Sequence, residues 1–128
     1  MTVILTHISL LVEDVQRALH FYQDNLNLEV IENLGSYATL KANENLKLSF
    51  FPRSAMQEAL PSVSISPADG YRTVLEFFVQ ELDNVYTTLR DKGVQFVSEP
   101  TDHPDWGIRT AYFTDLDGNL VELYRSLE

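Results

Sequence analysis

Residues 6–15 read THISLLVEDV, and a similar pattern returns 67 residues later as TVLEFFVQEL over residues 73–82. Each segment has a threonine, an extended apolar run, a valine at its seventh position and an acid at its ninth. A repeat spaced by about half the chain indicates two similar modules. The architecture is therefore expected to follow from what surrounds each copy.

An amphipathic helix is predicted after each copy. After the first copy, apolar residues recur at helical spacings of three and four: Val15, Ala18, Leu19, Tyr22 and Leu26. The second copy is followed by the same spacing: Leu82, Val85, Tyr86 and Leu89. Asp14 and Glu81 stand where N-terminal caps are expected. Asn27 and Gly93 can supply left-handed C-terminal caps.

Each predicted helix is followed by β-rich sequence. In the first half, LEVIEN, SYATLKA and LKLSFF are predicted strands separated by turns. In the second half, VQFVSEP, IRTAYFTD and LVELYRS are predicted strands, with a tight turn at residues 117–119. Both halves are thus predicted to be βαβββ modules, which favours an α+β fold with mostly antiparallel pairing.

The chain of 128 residues is predicted to form one domain. Module one covers about residues 3–52 and module two about residues 73–125. Residues 53–72, with two prolines and a glycine, are the predicted linker. Within the linker, residues 54–60 can form a short helix that starts at a serine cap.

The charge of the chain argues against two classes of partner. Its formal net charge is −10, with 19 acidic and 9 basic residues, whereas nucleic-acid binders use Lys and Arg to neutralise phosphates. The same charge disfavours anionic membrane surfaces. No apolar run approaches the roughly 18 residues of a membrane span, and the N-terminus lacks a signal-peptide pattern. The absence of cysteine and of a signal makes the cytoplasm the expected location.

The second half also carries a specific order of motifs. Residues 93–124 read GVQFVSEPTDHPDWGIRTAYFTDLDGNLVELY. This order resembles the G-hydrophobic-F, E-P, W-G-x-R and D-P-D-G-N-x-x-E-L series of the vicinal oxygen chelate superfamily, which includes glyoxalases, bleomycin-resistance proteins and extradiol dioxygenases. Leu116 replaces the usual proline. The resemblance implies a U-shaped sheet around a central cavity, and a homodimer.

The resemblance also implies four metal-ligand positions, two in each module. His7 and Glu122 fall on two of them and have suitable donor groups. The counterpart of His7 at the 67-residue offset is Val74, and matching K-L to E-L makes Lys47 the counterpart of Glu122. Neither valine nor a charged lysine can ligate a metal. The site is therefore expected to be degenerate and metal-free, with a divalent Zn, Ni, Mn or Fe ion as the alternative.

Other polar and aromatic residues complete the predicted site. Glu76 is either a second catalytic carboxylate beside Glu122 or the ion-pair partner of Arg109, and we favour the ion pair. Trp106, the single tryptophan, suits stacking on a planar ligand. His103 is predicted to lie on a loop surface. The predicted ligand-binding residues are His7, Phe51, Phe78, Trp106, Arg109 and Tyr124.

Two functions fit these predictions. The first is a metal-free protein of the bleomycin-resistance type that binds a planar or amphipathic small molecule in its cavity. The second is a divalent-metal-dependent lyase or isomerase of the glyoxalase type, with Glu122 as the base and His7 helping to hold the metal. An extradiol dioxygenase ranks third, because its iron site generally needs two histidines and a carboxylate.

Overall fold

The computed structural model describes residues 2–67 and 70–128, and the chain divides into two compact units, Met1–Pro67 and Ala68–Glu128. The first unit contains β1 (His7–Val12), α1 (Val15–Leu26), β2 (Val30–Asn33), β3 (Ala38–Asn43), β4 (Leu46–Pro52) and α2 (Arg53–Ala59). Its sheet has the order β1-β4-β3-β2. β1 runs parallel to β4, and the other ladders are antiparallel.

Helix α1 begins and ends as its sequence predicts. The Asp14 carboxylate accepts a 3.1 Å hydrogen bond from the Arg17 amide, which satisfies one free N–H of the first turn. Asn27 ends the helix in the left-handed conformation at φ 58°. The helix packs on the sheet through its apolar stripe, where the Tyr22 and Phe50 rings lie 5.3 Å apart. Both rings are buried, so this contact lies in the core of the unit.

The second unit repeats this plan with one additional strand and without a second helix in its described residues. It contains β5 (Val74–Phe78), α3 (Leu82–Asp91), β6 (Gln95–Phe96), β7 (Thr101–His103), β8 (Ile108–Thr114) and β9 (Leu120–Ser126). The sheet order is β5-β9-β8-β6, and β7 also pairs with β8. β5 runs parallel to β9, as β1 does to β4. The α+β class is confirmed, with nine strands and three helices across the described residues.

Two local predictions for the second unit need correction in detail. Glu81 stands at the N-cap of α3 as predicted but makes no side-chain cap hydrogen bond, and Asp83 supplies the acid of the first turn. The predicted strand VQFVSEP shortens to β6, because the Ser98 hydroxyl accepts the Tyr112 amide and Pro100 has no amide to donate. The chain resumes pairing at β7, which was not predicted.

The predicted linker contains ordered structure. Helix α2 occupies Arg53–Ala59, close to the predicted 54–60. The Gln57 side chain then holds the following loop by donating to the carbonyl oxygens of Leu60 and Val63 and accepting the Ile65 amide. Residues 68 and 69, which also fall in the predicted linker, lie outside the described residues. No helix in the described part of the chain is long and apolar enough to cross a membrane.

Candidate functional site

The sheet of the second unit has one face packed on α3 and one open face. Ring contacts at 4.6 and 5.3 Å lead from Tyr86 of α3 through Phe96 to Phe113 of β8, which defines the packed face. Side chains alternate along a strand, so Tyr112 points to the other face. A pocket of about 370 Å³ lies on that open face, lined by Val74, Glu76, Trp106, Ile108, Tyr112, Glu122 and Tyr124.

Two carboxylates and a phenol form one row across this pocket. Glu76 of β5 is in register with Glu122 of β9, and Glu122 is in register with Tyr112 of β8. Neighbouring strands lie about 4.8 Å apart, so the two carboxylates are direct neighbours. Glu122 is only 5% exposed, whereas Glu76 is exposed. The row therefore has one buried and one accessible carboxylate.

The environment of Tyr112 suppresses its ionisation. Burial of the phenol, followed by its interaction with the cross-strand neighbour Glu122, raises the pKa of Tyr112 to about 12. The charge of Glu76 acts in the same direction, and the nearby Thr110 acts in the opposite one. Tyr112 is thus a neutral phenol at physiological pH, and it is able to donate a hydrogen bond. Tyr112 was not among the residues predicted for the site.

The expected ion pair between Glu76 and Arg109 is wrong. Arg109 lies 3.0 Å from Asp83 of α3 and 2.8 Å from Asp102 of β7. The reason is strand alternation: Arg109 is three residues from Tyr112, so it points to the α3 face while the pocket lies on the opposite one. Within residues 2–67 and 70–128, no Lys or Arg lies within ion-pair distance of Glu76 or Glu122.

Trp106 and His103 form a stacked pair at the edge of the pocket. Their ring centroids are 4.3 Å apart with an interplanar angle of 18°. The pair is placed by a tight turn in which the amides of Trp106 and Gly107 both donate to the His103 carbonyl at 2.9 Å. Gly107 has φ 74°, which favours glycine there. Trp106 is 61% exposed and lines the pocket.

His103 is not the loop-surface residue that its sequence context predicts. It belongs to β7 and is half-buried, and its Nε2 lies 3.0 Å from the Thr110 hydroxyl oxygen. Thr110 is buried at 1% exposure. The signal in the sequence for this position was weak, because TDHPD looks like a polar loop. The β7–β8 pairing brings His103 beside β8, and β7 was not predicted.

The first unit carries the other predicted ligand position. His7 is the exposed first residue of β1, in register with Lys47, and its Nδ1 lies 2.8 Å from the Thr6 hydroxyl. His7 and Glu122 belong to different units, and their joint role stays a prediction. Of the remaining aromatics, Phe51 contacts Tyr37 in the first unit at 6.3 Å.

The β-ladders correct one internal equivalence. In the first unit Ser9 is opposite Ser49, and in the second Glu76 is opposite Glu122. The 67-residue offset aligns Ser9 with Glu76, as it aligns His7 with Val74. The counterpart of Glu122 is therefore Ser49, which is buried at 1% exposure, and not Lys47. Matching Lys47-Leu48 to Glu122-Leu123 had shifted the alignment by two residues, which is the side-chain period of a strand.

Two aromatic residues of the second unit differ in their access to the pocket. Tyr124 lies on its wall. Phe78, 62% exposed, packs edge-on against the Tyr124 ring with centroids 5.8 Å apart. Phe78 therefore packs against the Tyr124 ring without lining the pocket itself, while Tyr124 is placed to touch a ligand.

The donor set of the pocket does not fit a metal held by this unit alone. Glu76 and Glu122 supply two carboxylates, whereas catalytic metal sites usually have three protein ligands. Across the described ranges, no group of three or more His, Asp or Glu side chains is placed to hold an ion.

Comparison with known proteins agrees with this architecture. Residues 4–123 match the family model described as Glyoxalase/Bleomycin resistance protein/Dioxygenase superfamily. YraH of Bacillus subtilis (strain 168), described as uncharacterized, is 35% identical over 127 residues, covering 96% of this chain and 98% of that protein. A second B. subtilis protein, YurT, also described as uncharacterized, is 25% identical over 90% of this chain and 93% of its own.

Solved structures share the fold at lower identity. A glyoxalase/bleomycin resistance protein/dioxygenase from Nocardioides has a TM-score of 0.82 and 22% identity, covering 100% of this chain and 86% of its own. A family enzyme from Burkholderia phytofirmans PsJN has a TM-score of 0.81 and 19% identity, covering 98% and 100%. The family model spans nearly the whole chain. The chain therefore belongs to the glyoxalase/bleomycin resistance protein/dioxygenase superfamily.

Proposed function

We propose that the protein binds a planar, cationic small molecule in the pocket of its second unit, without a metal ion. The observation that carries this proposal is the pair Glu76–Glu122, two neighbouring carboxylates that no Lys or Arg of the described residues neutralises. Aromatic side chains of Trp106 and Tyr124 line the same pocket. Negative charge beside aromatic faces is the combination that a planar cation requires.

The charge arrangement gives a direct reason for cation affinity. Like charges opposite each other in a sheet destabilise it by about 0.2–1 kcal/mol, so a bound cation relieves a cost already present in the fold. At an effective dielectric constant of about 20, one positive charge about 4 Å from one carboxylate gains about 4 kcal/mol of Coulomb energy before desolvation. The net charge of −10 adds a long-range attraction for cations.

The aromatic wall gives a reason for planarity. Trp106 exposes most of its indole and is held on one side by the His103 ring, which leaves its other face for a ligand. Stacking a planar ring on that face adds apolar burial, and a positive charge over an indole adds about 0.5–2 kcal/mol. Tyr124 bounds the pocket as a second aromatic.

The test uses the untagged full-length protein and one planar cation, N-methylquinolinium. Binding is followed by calorimetry and by the fluorescence of Trp106, the chain's single tryptophan. The anion 2-naphthoate, of similar size, is the ligand control. We expect the cation to bind and the anion not to bind. Binding should weaken about tenfold in Glu76→Gln, which keeps the side chain's size. High salt should also weaken binding to the wild-type protein, and it should reduce the difference between the two, because ions screen the attraction.

The matched protein control is Glu99→Gln, which removes the same charge at an exposed position outside the pocket. It should leave the affinity unchanged within twofold. Equal binding of the cation and the anion, or equal effects of the two Gln variants, would contradict the proposal.

A separate measurement decides between this proposal and a glyoxalase-type metalloenzyme. The divalent metal content of the purified protein is measured after loosely held ions are removed. Near-stoichiometric metal that is lost in His7→Ala would overturn the metal-free proposal. Retention of cation binding in metal-depleted protein would support it.

A further inference from the structure

The residues that line the pocket lie in successive rows across the open face of the sheet. A row consists of residues that lie opposite one another on β5, β9 and β8, and the side chains of one face recur at every second residue. Numbered from the start of β5, the first row contributes Val74, the second Glu76, Glu122 and Tyr112, the third Tyr124, and the fourth Ile108. Trp106 lies beside the fourth row, because its ring stacks on His103, which is in register with Ile108.

The charge of the pocket is confined to one of these rows. Among the described residues that line the pocket, Glu76 and Glu122 are the only acids or bases, and both belong to the second row. From there to the turn, the lining consists of Tyr124, Ile108 and Trp106. The pocket therefore has a charged end at the second row and an aromatic end at Trp106.

The two ends are too far apart for one small ring. Tyr112 of the second row and Ile108 of the fourth are four residues apart on β8, which corresponds to about 14 Å along the strand. Spread over that length, the volume of about 370 Å³ leaves a mean cross-section of about 26 Å². The pocket is thus long and narrow, and a fused two-ring cation such as N-methylquinolinium covers only part of it.

We propose that the ligand is an elongated cation with an ammonium head group at the second row and a planar aromatic ring at Trp106. Its apolar spacer lies along Tyr124 and Ile108. Glu76 receives the head group, because it is exposed whereas Glu122 is only 5% exposed. The indole face opposite His103 receives the ring. This inference rests on the proposed function for the charge of the ligand, and it adds the length of the ligand and the order of its parts.

The test is a series of 2-naphthylalkylammonium ions with one, three, six or nine methylene groups between ring and nitrogen. An extended chain advances about 1.2 Å per bond, so six methylenes place the nitrogen about 8 Å from the ring. The naphthyl ring and the contact with Glu76 cover most of the remaining distance. The six-methylene compound is therefore the one expected to reach both ends.

Binding to the untagged full-length protein is measured by calorimetry. Affinity should rise up to the six-methylene compound, by at most about fourfold for each methylene that becomes buried, and should not rise further at nine. Hexylammonium, which lacks the ring, should bind more weakly than the six-methylene compound. A steady rise through nine methylenes would indicate apolar binding without a fixed length and would overturn the inference, as would equal affinities throughout the series.

Two variants test the ends separately. Glu76→Gln should weaken binding of the six-methylene compound about tenfold and Trp106→Ala about fivefold, and both residues are exposed, so the fold should tolerate the changes. In the double variant the two losses should multiply within a factor of about two, because contacts so far apart act independently. Trp106→Phe, which keeps a ring, should recover part of the loss. Unchanged affinity in Trp106→Ala, or a double variant no weaker than Glu76→Gln, would overturn the inference.

The order of the ligand's parts is determined by NMR. The naphthyl protons should show nuclear Overhauser effects to the indole of Trp106, the single tryptophan of the chain. The methylene next to the nitrogen should show them to the ring of Tyr112, which Tyr112→Phe assigns. Overhauser effects between the naphthyl ring and Tyr112 would place the ligand in the reverse order and overturn the inference.

The proposed function and this inference fail in different ways. If N-methylquinolinium and the whole ammonium series bind with equal affinity, the proposed function stands and the elongated ligand is overturned. Alcohols with the same rings and spacers provide the uncharged control. An alcohol that binds as tightly as its ammonium counterpart would overturn the cation requirement and the head group with it, while an optimum at six methylenes among the alcohols would still support the inferred length.

Discussion

Replacing Glu122 by Gln should lower the pKa of Tyr112. The pKa of the phenol is about 12 against an ordinary value of 10.0, and burial is the largest cause, followed by the interaction with the neighbouring Glu122. Glu122→Gln keeps the volume of the side chain and therefore most of the burial, while the charge disappears. We expect a fall of about one pKa unit, equivalent to about 1.4 kcal/mol. Glu76→Gln should give a smaller fall, since Glu76 contributes least.

The pKa is measured by NMR with ¹³C at the phenolic carbon of the six tyrosines, and Tyr112→Phe assigns the resonance. Glu99→Gln, which is exposed and outside the pocket, is the charge control and should shift Tyr112 by less than about 0.2 unit, as expected for a distant exposed charge. If Tyr112 titrates near 10 in the wild-type protein, or if Glu122→Gln leaves its pKa unchanged, the reasoning from the Tyr112–Glu122 register to an interaction of their side chains is refuted.

The same shift fixes a dependence of stability on pH. Because the folded-state pKa of Tyr112 is raised, the unfolded chain loses the phenolic proton first as pH increases. The corresponding stabilisation is fully present below about pH 10 and is lost as pH rises toward 12. Allowing for the solvent-exposed part of the ring, the loss should be on the order of 2 kcal/mol, and Tyr112→Phe should abolish this part of the alkaline loss.

Three further predictions concern the stability of the fold and its assembly. Asp14→Ala should lower the free energy of unfolding by about 1 kcal/mol in denaturant titrations, because it removes the cap of α1. Glu81→Ala should lower this free energy by less, because Glu81 makes no cap hydrogen bond. Phe50→Ala should lower the free energy of unfolding by about 3–5 kcal/mol because this ring is fully buried. Phe78→Ala should lower it by less than about 1 kcal/mol because Phe78 is exposed, and equal losses in the two variants would contradict this ranking. The homodimer stays a prediction: light scattering should give twice the 14.6 kDa chain mass, and Ile4→Glu, which charges the exposed apolar segment at residues 3–5, should lower that value.

Local signals predicted the elements of the fold well. The cap residues Asp14 and Asn27 act where the apolar periodicity starts and stops, and the last strand matches LVELYRS in full. These features depend on neighbouring residues, which the sequence displays directly. Two details were missed: Glu81 makes no cap hydrogen bond, and the Ser98 hydroxyl accepts the Tyr112 amide beyond the end of β6.

The candidate site was harder to predict because it depends on register between strands. The β8–β9 hairpin register follows from its turn, where Asp115 accepts the Asn119 amide at 2.8 Å, so Tyr112 opposite Glu122 was within reach of sequence reasoning. Glu76 beside Glu122 was not, because these residues are 46 positions apart and no turn fixes a parallel pair. Tyr112 itself was overlooked because an aromatic residue in a strand most often belongs to the core.

The parallel pairs also determine when each half of the chain can finish folding. In both units the strand that opens the unit pairs with a strand near its end, His7 with Lys47 and Glu76 with Glu122. Such distant pairing must follow the local hairpin and helix, because closing a loop of about 40 residues costs entropy before any contact repays it. During synthesis, β5 therefore waits until β9 has been made. The two carboxylates of the pocket are among the last groups of the second unit to meet, so the pocket cannot form before β9 is available for pairing.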